Sequence, residues 1–546
     1  MLAGELHNSS LSSAEFMSTV YPNMKAMNLN TLLGAVTWEM IEPVEGQFNF
    51  SDLDKVILEA RKWDMHLVLL WFGSYKNAMS TYVPAWVKKD VKRFPRVHVM
   101  DEDKKLKTIE LISPFCERCW QADAQAFKTL MRHLKEFDSD ENTVLMVQVE
   151  NETGLLGDSM DRSKTARQLF EKPVPKQLLD HLQAKSETHP KFEQHFPNIQ
   201  AAKPGQSTWT EAFGAGISSE EVFMAYAISQ YVNHVAEAGK AEYSIPFYTN
   251  VWLNYDDPAI LDLDGIMSQE AGAQAVAGGG AKAGIYPSGG PCPHVLDIWK
   301  QNTPSLDFIA PDLYLHDYEW VCQAYRHEDQ PLFIPEQKRD AKGARRVWLA
   351  YGTYGALGCG PFGIDSLEAK NSPFTQTYSL LNSVSKEILS AQADRPDNMM
   401  GFFFDELHEN SPGQRAQWRK TFGNFEVIID RAFVFGKAGP GFGIVIHQGD
   451  GKFLLIGKGF QVTFKSAKPT ATFTGILSAE EKVVDENGDL RTLRVMNGDE
   501  TRSGAFMIMP NDEPDYGGFP IAVTIPARTC IAEVTAYSLE ETDEDF

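Results

Sequence analysis

Continuous apolar runs and amphipathic segments alternate along the first 400 residues of the chain. The runs carry β-branched and bulky residues without polar alternation, a pattern typical of strands buried on both faces of a parallel sheet. They are residues 1–8, 31–38, 66–72, 144–149, 246–252, 308–314, 331–336 and 355–362. Most segments between them place apolar residues at helical spacing, which predicts helices. The clearest are residues 14–27, 52–63, 120–137, 220–239 and 339–351.

Eight strands that alternate with helices predict a (β/α)8 barrel of the TIM type, with insertions. Ser12 or Ser13 would cap the first helix through its hydroxyl. The longest insertion, residues 158–219, is polar and helix-prone, without an obvious strand. We expect this segment to pass over the barrel mouth.

Beyond residue 400 the pattern changes to short alternating segments separated by Gly, Asp and Asn. Examples are residues 433–435, 443–446, 452–456 and 460–464. These segments predict a C-terminal antiparallel β-sandwich. The predicted domains are a catalytic barrel over 1–400, a sandwich over 401–539 and an acidic, disordered tail over 540–546.

The chain is acidic, because 51 Lys and Arg against 74 Asp and Glu give a net charge of −23. This charge argues against nucleic-acid or anionic-membrane partners and favours a neutral substrate. Six scattered cysteines are too few for a disulfide framework, so we expect reduced thiols. Cys116 and Cys119 form a Cys-x-x-Cys, which is either a metal or redox site or a pair of ordinary buried cysteines.

The sequence contains no apolar run of about 18 residues and no charged-then-apolar leader, so we expect no membrane span. A cytoplasmic protein is expected, or a secreted or periplasmic one if a leader was removed. The stretch 271–290 is rich in Gly and Ala but lacks the strand and the glycine spacing of a dinucleotide-binding loop, which favours a mobile loop. We expect no organic cofactor and no metal.

Two of the predicted strands end in carboxylates. The fourth run ends in Glu-Asn-Glu at residues 150–152, and the seventh ends at Glu336. The carboxyl ends of barrel strands form the active-site face, so Glu152 and Glu336 are expected to meet there. A surface pair of glutamates that merely ends a strand is the alternative for the first motif. If the two carboxylates face each other across a sugar at about 5–5.5 Å, they would serve a retaining glycosidase.

Five short motifs occur in order along the predicted barrel. They are residues 4–8 (GELHN), 38–43 (WEMIEP, with Gly46 and Phe48 following), 84–86 (PAW), 148–152 (QVENE) and 335–336 (PE). Together they resemble glycoside hydrolase family 35, the β-galactosidase family, in its shorter branch with a compact C-terminal β-domain. The resemblance covers the whole barrel, and it rests on the order and spacing of the motifs.

The resemblance implies that Glu152 is the acid/base and Glu336 the nucleophile. The acid needs a raised pKa while the nucleophile stays ionised, and mutual charge in a half-desolvated pocket can separate the two. Asn151 would hydrogen-bond the sugar 2-hydroxyl, or would be a turn residue after the strand. Glu150 is expected to support the site rather than to react.

Other residues near strand ends are candidates for sugar binding. Tyr314 either hydrogen-bonds the nucleophile or is a buried structural tyrosine. Trp71 either stacks on a sugar or packs in the core, and Asn250 would contact a hydroxyl. His7 either contacts the sugar or is a core histidine. Asn77 stands where larger family members place an acidic sugar-binding residue.

The function that the resemblance implies is a retaining exo-β-galactosidase that releases terminal β-galactose from oligosaccharides, such as galactosylated plant cell-wall fragments. Ala35 and Asn77 depart from the family pattern, which leaves open a β-glucosidase or β-glycosyltransferase on the same scaffold. A non-catalytic sugar-binding protein is the alternative of another class, and the presence of both Glu152 and Glu336 argues against it. The sequence is compatible with a homo-oligomer.

Overall fold

The computed structural model describes residues 1–101, 103–255, 279–407, 417–432, 439–496, 498–511 and 524–540. The chain divides into two compact units, residues 1–338 with 358–368 and residues 339–357 with 369–546. The chain therefore passes between the units at three places. This grouping differs from the boundary at residue 400 expected from the sequence, which stays a prediction.

The first unit contains a closed barrel of parallel strands. The described strands of the first unit are β1 (Ala3–Glu5), β2 (Thr31–Thr37), β3 (His66–Lys76), β4 (Arg96–Met100), β5 (Leu106–Ile112), β6 (Val144–Asn151), β7 (Phe247–Val251), β8 (Phe308–Pro311), β9 (Ile334–Gln337) and β10 (Cys359–Pro361). All except β4 and β5 belong to the barrel. A parallel sheet runs in the order β1-β2-β3-β6-β7-β8, and β9 pairs with β10. Parallel bridges from Leu2 to Cys359 and from Leu313 to Gln337 join the two sheets. The predicted (β/α)8 fold class is confirmed.

Helices occupy the segments between the barrel strands. They are α1 (Ala14–Ala26), α2 (Trp38–Ile41), α3 (Ser51–Lys62), α4 (Ala85–Lys89), α5 (Glu117–Asp138), α6 (Lys164–Phe170), α7 (Lys176–Ala184), α8 (Pro190–His195), α9 (Trp209–Phe213), α10 (Ile217–Lys240), α11 (Leu296–Asn302) and α12 (Tyr318–Ala324). Ser13 caps α1, because its side chain accepts a hydrogen bond from the Phe16 N–H. Helices α6 to α9 lie within the polar segment 158–219. The antiparallel hairpin of β4 and β5 was not expected from the sequence.

The barrel interior is a packed apolar core. Alternate residues of each strand point inward, so β2 contributes Leu33 and Ala35, while β3 contributes Val68, Leu70 and Phe72. The other members are Ala3, Met146, Tyr248, Phe308, Ala310 and Phe333. Because this core fills the barrel, polar side chains gather at the carboxyl ends of the strands.

The described part of the second unit holds three longer helices and two antiparallel sheets. The helices are α13 (Ala341–Gly352), α14 (Pro373–Ser383) and α15 (Ser385–Asp394). The strands are β11 (Met399–Phe404), β12 (Gln417–Phe422), β13 (Phe425–Arg431), β14 (Gly441–Gly449), β15 (Lys452–Lys458), β16 (Phe460–Ser466), β17 (Ala471–Val484), β18 (Leu490–Val495), β19 (Met507–Ile508) and β20 (Ile531–Glu540). One sheet runs β11-β14-β15-β20-β17-β18 and the other β12-β13-β16-β19. Phe402 of the first sheet meets Phe460 of the second at 4.8 Å between ring centroids, as in a sandwich.

Three of the predicted sandwich segments lie in β14, β15 and β16. Residues 433–435, part of the stretch 271–290 and the tail after 540 lie outside the described residues. All six cysteines lie in the described residues, and none of them is paired in a disulfide. Within the described part of the chain, none of the helices has the length and apolar character needed to cross a bilayer.

Candidate active site

The two candidate catalytic carboxylates lie at the carboxyl ends of barrel strands. Glu152 is the first residue after β6, and Glu336 lies within β9. Both residues are only 6% exposed. One carboxylate oxygen from each, together with one from Asp312, lies within 4.8 Å of the other two. The structure thus brings together two acids that are 184 positions apart in the chain.

Glu152 is held by its main chain as well as by its carboxylate. Its φ of +43° is in the left-handed region that non-glycine residues rarely adopt. The Glu152 N–H donates to the side-chain oxygen of Asn250 at 2.8 Å, and its C=O accepts from the Ala78 N–H at 3.0 Å. The Asn77 amide donates to the Glu152 carboxylate. These contacts hold the unusual backbone conformation and fix the direction of the side chain.

The environment of Glu152 favours a proton on its carboxyl group. Burial raises its pKa to about 7, with the negative charge of Glu336 as the second cause. The Lys76 charge and the hydrogen bond from Asn77 act in the opposite direction. A carboxyl group with this pKa exchanges its proton near neutral pH, which is what a general acid/base requires.

Glu336 is oriented by Tyr314. The phenol of Tyr314 donates to Glu336 Oε2 at 2.7 Å. Burial, followed by the charge of Glu336, raises the pKa of Tyr314 well above its usual range, so the phenol keeps its proton and remains the donor. The second oxygen, Oε1, is buried and has no hydrogen-bond partner among the described residues. A carboxylate held by one oxygen leaves the other available for reaction.

Three further titratable groups lie in the site, and the sequence did not single them out as site residues. Lys76 ends β3 and is 7% exposed. Burial alone would lower the pKa of its ammonium group, but the charges of Glu336 and Glu152 outweigh burial and raise it. Burial first, and the Glu336 charge second, raise the pKa of both Glu5 and Asp312 well above the usual range. The protonated forms of these two acids are therefore favoured beside an ionised lysine.

A cavity of about 400 Å³ opens onto these groups, which is within the size range of small-molecule sites. It is lined by Asn8, Lys76, Asn77, Glu152, Trp252, Leu253, Asp312, Tyr314, Glu336 and Phe362. The indole N–H of Trp252 is buried without a described partner. Trp252 therefore supplies both an aromatic face and a donor at the cavity wall.

The other sequence candidates lie in different places. Asn250 is adjacent to the cavity and donates to Asp312 at 2.7 Å. Asn151 is fully buried, and neither of its amide atoms has a hydrogen-bond partner among the described residues. Trp71 does not line the cavity: it is fully buried, and its indole donates to Asp123 at 2.9 Å, as expected of a core residue.

His7 is not among the residues that line the cavity, although its ring contacts one of them, Phe362. Its Nδ1 is 2.6 Å from Asp365 Oδ1, and its ring meets the edge of Phe362 at 5.6 Å. Its side chain is 47% exposed, so it is not a core histidine. The neighbouring Asn8 is the residue of this segment that reaches the cavity.

Glu152, Asp312 and Glu336 are also placed so that each could offer one oxygen to a cation. Hard divalent cations prefer oxygen ligands of this kind. Here the Lys76 ammonium already supplies a positive charge beside the same carboxylates, and the raised pKa values of Glu152 and Asp312 mean that protons compete for those oxygens. The absence of a metal stays a prediction.

Two family models match parts of the chain. Residues 10–200, about a third of the chain, match glycoside hydrolase family 42, described as beta-galactosidase. Residues 374–508 match a domain of unknown function, DUF5597. The resemblance drawn from the motifs is thus supported at the level of β-galactosidase families, while family 35 itself is not confirmed and family 42 is suggested instead. No curated protein shows significant similarity to the chain.

Several solved structures match parts of the chain. The β-galactosidase of the psychrophilic Marinomonas ef1 gives a TM-score of 0.45 at 12% identity, covering 71% of this chain and 60% of that chain. The β-galactosidase of Rahnella sp. R3 gives 0.43 at 14% identity, covering 71% of this chain and 56% of that one. The catalytic domain of a β-amylase from Paenibacillus polymyxa gives 0.45 at 10% identity, with 69% and 97% covered. The chain therefore spans about three fifths of the length of the two β-galactosidases.

Proposed function

We propose that this protein is a retaining exo-β-galactosidase in which Glu152 is the acid/base and Glu336 the nucleophile. The observation that carries the proposal is the buried pair of carboxylates, with oxygens within 4.8 Å of each other and a pKa of about 7 at Glu152. Inverting glycosidases hold their carboxyl groups about 6.5–9.5 Å apart to admit a water molecule, whereas retaining enzymes hold them about 5–5.5 Å apart. The 4.8 Å limit applies to the nearest oxygens of the two carboxyl groups, and an approach this close supports the retaining mechanism.

In the first step, protonated Glu152 gives its proton to the glycosidic oxygen while Glu336 attacks the anomeric carbon. The bond to the leaving alcohol breaks as the bond to the Glu336 oxygen forms, which leaves a covalent glycosyl-enzyme. The hydrogen bond from Tyr314 holds one Glu336 oxygen at 2.7 Å and leaves Oε1 free to attack. The nucleophile is thereby oriented before substrate binds.

In the second step, Glu152 is a carboxylate and accepts a proton from water. That water attacks the anomeric carbon, the bond to Glu336 breaks, and the sugar leaves with its original configuration. The pKa of about 7 suits Glu152 to both roles near neutral pH, because each form is accessible.

The family match of residues 10–200 supports β-galactosides as the substrate class. The cavity adds the face of Trp252 for the sugar ring and the amides of Asn8 and Asn77 for its hydroxyls. We infer that the natural substrate is an oligosaccharide with a terminal, non-reducing β-galactose.

A panel of nitrophenyl β-glycosides tests the substrate class. The β-galactoside should be hydrolysed with a higher kcat/KM than the β-glucoside, the β-fucoside and the β-glucosaminide. The anomeric form of the first product, followed by proton NMR, should be β. Turnover of the glucoside equal to or above that of the galactoside would reject galactose specificity, and α-galactose as first product would reject the retaining mechanism.

Two substitutions test the roles of the acids. Glu336→Gln should abolish turnover even of activated substrates, because no covalent intermediate can form. Glu152→Ala should retain the first step on substrates with good leaving groups but stall breakdown of the intermediate, and added azide should restore turnover and yield a β-glycosyl azide. Glu15→Gln, an exposed site on α1, serves as the matched control and should behave as wild type. A β-azide product from Glu336→Ala instead would exchange the two roles.

A further inference from the structure

The Cys-x-x-Cys motif lies at the beginning of α5, and the proposed hydrolysis does not use it. Cys116 is the residue that precedes the helix, and Cys119 is the third residue within it. Neither cysteine lines the cavity of the candidate active site. Among the described residues, the groups of three or more side chains that could hold a metal ion contain neither of them. The alternatives that remain for the motif are a redox site and a pair of ordinary buried cysteines.

The main chain holds the two cysteines close enough for a disulfide. The Cys119 N–H donates to the Cys116 C=O at 3.0 Å, which closes a turn of four residues. The first and fourth Cα atoms of such a turn lie within about 7 Å of each other, which is also about the largest separation that a disulfide can bridge without movement of the backbone. The two thiols already share a hydrogen bond. A disulfide can therefore form without unwinding α5.

The two thiols differ in exposure, because Cys116 is half-buried whereas Cys119 is fully buried. The hydrogen bond from the Cys119 thiol, reinforced by the main-chain N–H groups of Cys119 and Arg118, lowers the pKa of Cys116 to about 6 against the effect of burial. The same hydrogen bond, together with burial, raises the pKa of Cys119. The Arg93 C=O, 3.7 Å from the Cys116 sulfur, accepts a hydrogen bond only from the protonated thiol. Near neutral pH, Cys116 is thus an accessible thiolate and Cys119 a thiol behind it.

The other four cysteines provide internal references. Cys292, Cys322 and Cys359 are fully buried, and burial raises the pKa of the first two thiols well above the usual range. A reagent in solvent does not reach buried thiols of this kind in the folded protein. Cys530 is half-buried in the second unit, so it shows how an accessible thiol outside the motif reacts.

We propose that Cys116 and Cys119 form a redox-active dithiol that is oxidised reversibly by a low-molecular-weight disulfide. In the first step, the Cys116 thiolate attacks one sulfur of that disulfide, the bond between its two sulfurs breaks, and one thiolate leaves. In the second step, Cys119 loses its proton to solvent and attacks the Cys116 sulfur, which releases the second thiolate and forms the protein disulfide. Counted from the dithiol, the protein loses two electrons and two protons, and the small disulfide becomes two thiols. This activity lies beyond the proposed hydrolysis, in which no electrons are transferred.

Thiol trapping on the full chain tests the proposal. The reduced protein is incubated near neutral pH with an excess of oxidised glutathione as the small disulfide, quenched with acid, unfolded, alkylated and analysed by peptide mass spectrometry. Cys116 and Cys119 should escape alkylation and be joined in a disulfide that dithiothreitol reduces again. Cys292, Cys322 and Cys359 should stay reduced and become alkylated. The proposal would be overturned if both cysteines of the motif were still alkylated, or if the buried cysteines were oxidised as fast as the motif.

Variants assign the roles of the two sulfurs. Cys119→Ser removes the second attacking thiol, so glutathione should stay attached to Cys116 as a mixed disulfide. Cys119→Ala repeats this test without a buried hydroxyl in case the serine variant does not fold. Cys116→Ser should leave Cys119 unmodified, because the remaining sulfur is buried. Cys530→Ser is the matched control and should form the disulfide of the motif at the wild-type rate.

Two results would show that Cys116 is not the attacking thiol and would overturn the proposal. One is the absence of the mixed disulfide in a folded Cys119 variant, and the other is modification of Cys119 at the wild-type rate in Cys116→Ser. All of these measurements are made on thiols. They therefore test this proposal independently of whether the protein hydrolyses β-galactosides.

Discussion

At the scale of single residues, Lys76 and Asn77 set the protonation of Glu152. Burial and the Glu336 charge raise the pKa of Glu152 to about 7, while Lys76 and Asn77 lower it. We predict that Asn77→Ala raises this pKa by about one unit, since a hydrogen bond to a charged group is worth about 1.5 kcal/mol and one unit is ~1.36 kcal/mol. Because the general acid works only while protonated, the alkaline limb of kcat/KM against pH should move to higher pH.

Two substitutions of Lys76, one that removes its charge and one that keeps it, provide the comparison for Asn77→Ala. Lys76→Met removes the positive charge that favours the Glu152 carboxylate and should move the alkaline limb in the same direction. Lys76→Arg keeps the charge and should leave the limb close to its wild-type position. If neither Asn77→Ala nor Lys76→Met moved the limb, a group other than Glu152 would control it.

A second pair of acids, Asp123 on α5 and Glu150 on β6, is buried away from the cavity and linked by a hydrogen bond. Burial, then the Asp123 charge, raises the pKa of Glu150 well above its usual 4.5. The folded protein therefore holds a proton that the unfolded chain releases. This contribution to stability is complete below the unfolded-state pKa and is lost as pH rises toward the folded-state pKa.

Glu150→Gln should reduce the loss of stability with rising pH. The glutamine amide can donate a hydrogen bond to Asp123 and carries no proton that titrates. The difference in free energy of unfolding between variant and wild type should increase in favour of the variant between about pH 5 and pH 8. Urea unfolding at several pH values measures it, with the exposed Glu15→Gln as control. A difference that is constant with pH would contradict the shared proton.

At the scale of elements, one signal marks the acids of the site: an apolar run that ends on a carboxylate at the end of a barrel strand. The sequence predicts the positions of Glu152 and Glu336 from it. Glu5 ends β1 and Asp312 follows β8 in the same way, so the signal was present for them, although their runs are shorter. The sequence pattern gives no distance between the strand ends, because that distance depends on how the barrel closes.

Lys76 was missed for a different reason. The sequence ends the third strand at Phe72, but β3 continues to Lys76. The continuation depends on Gly73, where an added Cβ would lie 2.4 Å from the Trp71 indole nitrogen and 2.6 Å from Asp123. Only the packed structure shows that this glycine lets the strand pass so close to its neighbours.

The pairing of β9 with β10 positions the nucleophile and depends on Gly360. A Cβ at this position would lie 2.3 Å from the main-chain oxygen of Pro335, the residue before Glu336. Gly360→Ala should therefore push β9 away and lower the free energy of unfolding by about 1–3 kcal/mol, with a loss of kcat. Urea unfolding and kinetics measure the two effects.

Gly498→Ala is the control for that substitution, because nothing lies within 4 Å of its added Cβ. Its stability should stay within about 0.5 kcal/mol of wild type, as for surface changes in general. Wild-type stability and kcat in Gly360→Ala would show that the two strands do not need this close approach.

At the scale of the whole molecule, the sequence predicts the alternation of strands and helices but not which helices belong to which unit. Helix α13 forms close to where the pattern places it, yet it belongs to the second unit. Its Trp348 is fully buried and stacks on Phe442 of β14 at 5.0 Å. That partner lies 94 positions further along the chain, and local periodicity carries no information about it.

The placement of α13 leads to a prediction about dividing the chain. A fragment of residues 1–400 would keep α13 but lose Phe442, and Thr353 would lose its hydrogen bonds with Gly401 at 2.8 and 3.0 Å. Because α13 is also the connection between β9 and β10, we expect this fragment to be insoluble or unfolded and inactive.

In the full chain, Trp348→Ala should lower the free energy of unfolding by about 3–5 kcal/mol, whereas Trp348→Phe, which keeps an aromatic ring against Phe442, should lower it by less. Soluble yield, tryptophan fluorescence and urea unfolding measure these effects, and a soluble, active 1–400 fragment would show that the barrel folds without the residues of the second unit that follow position 400.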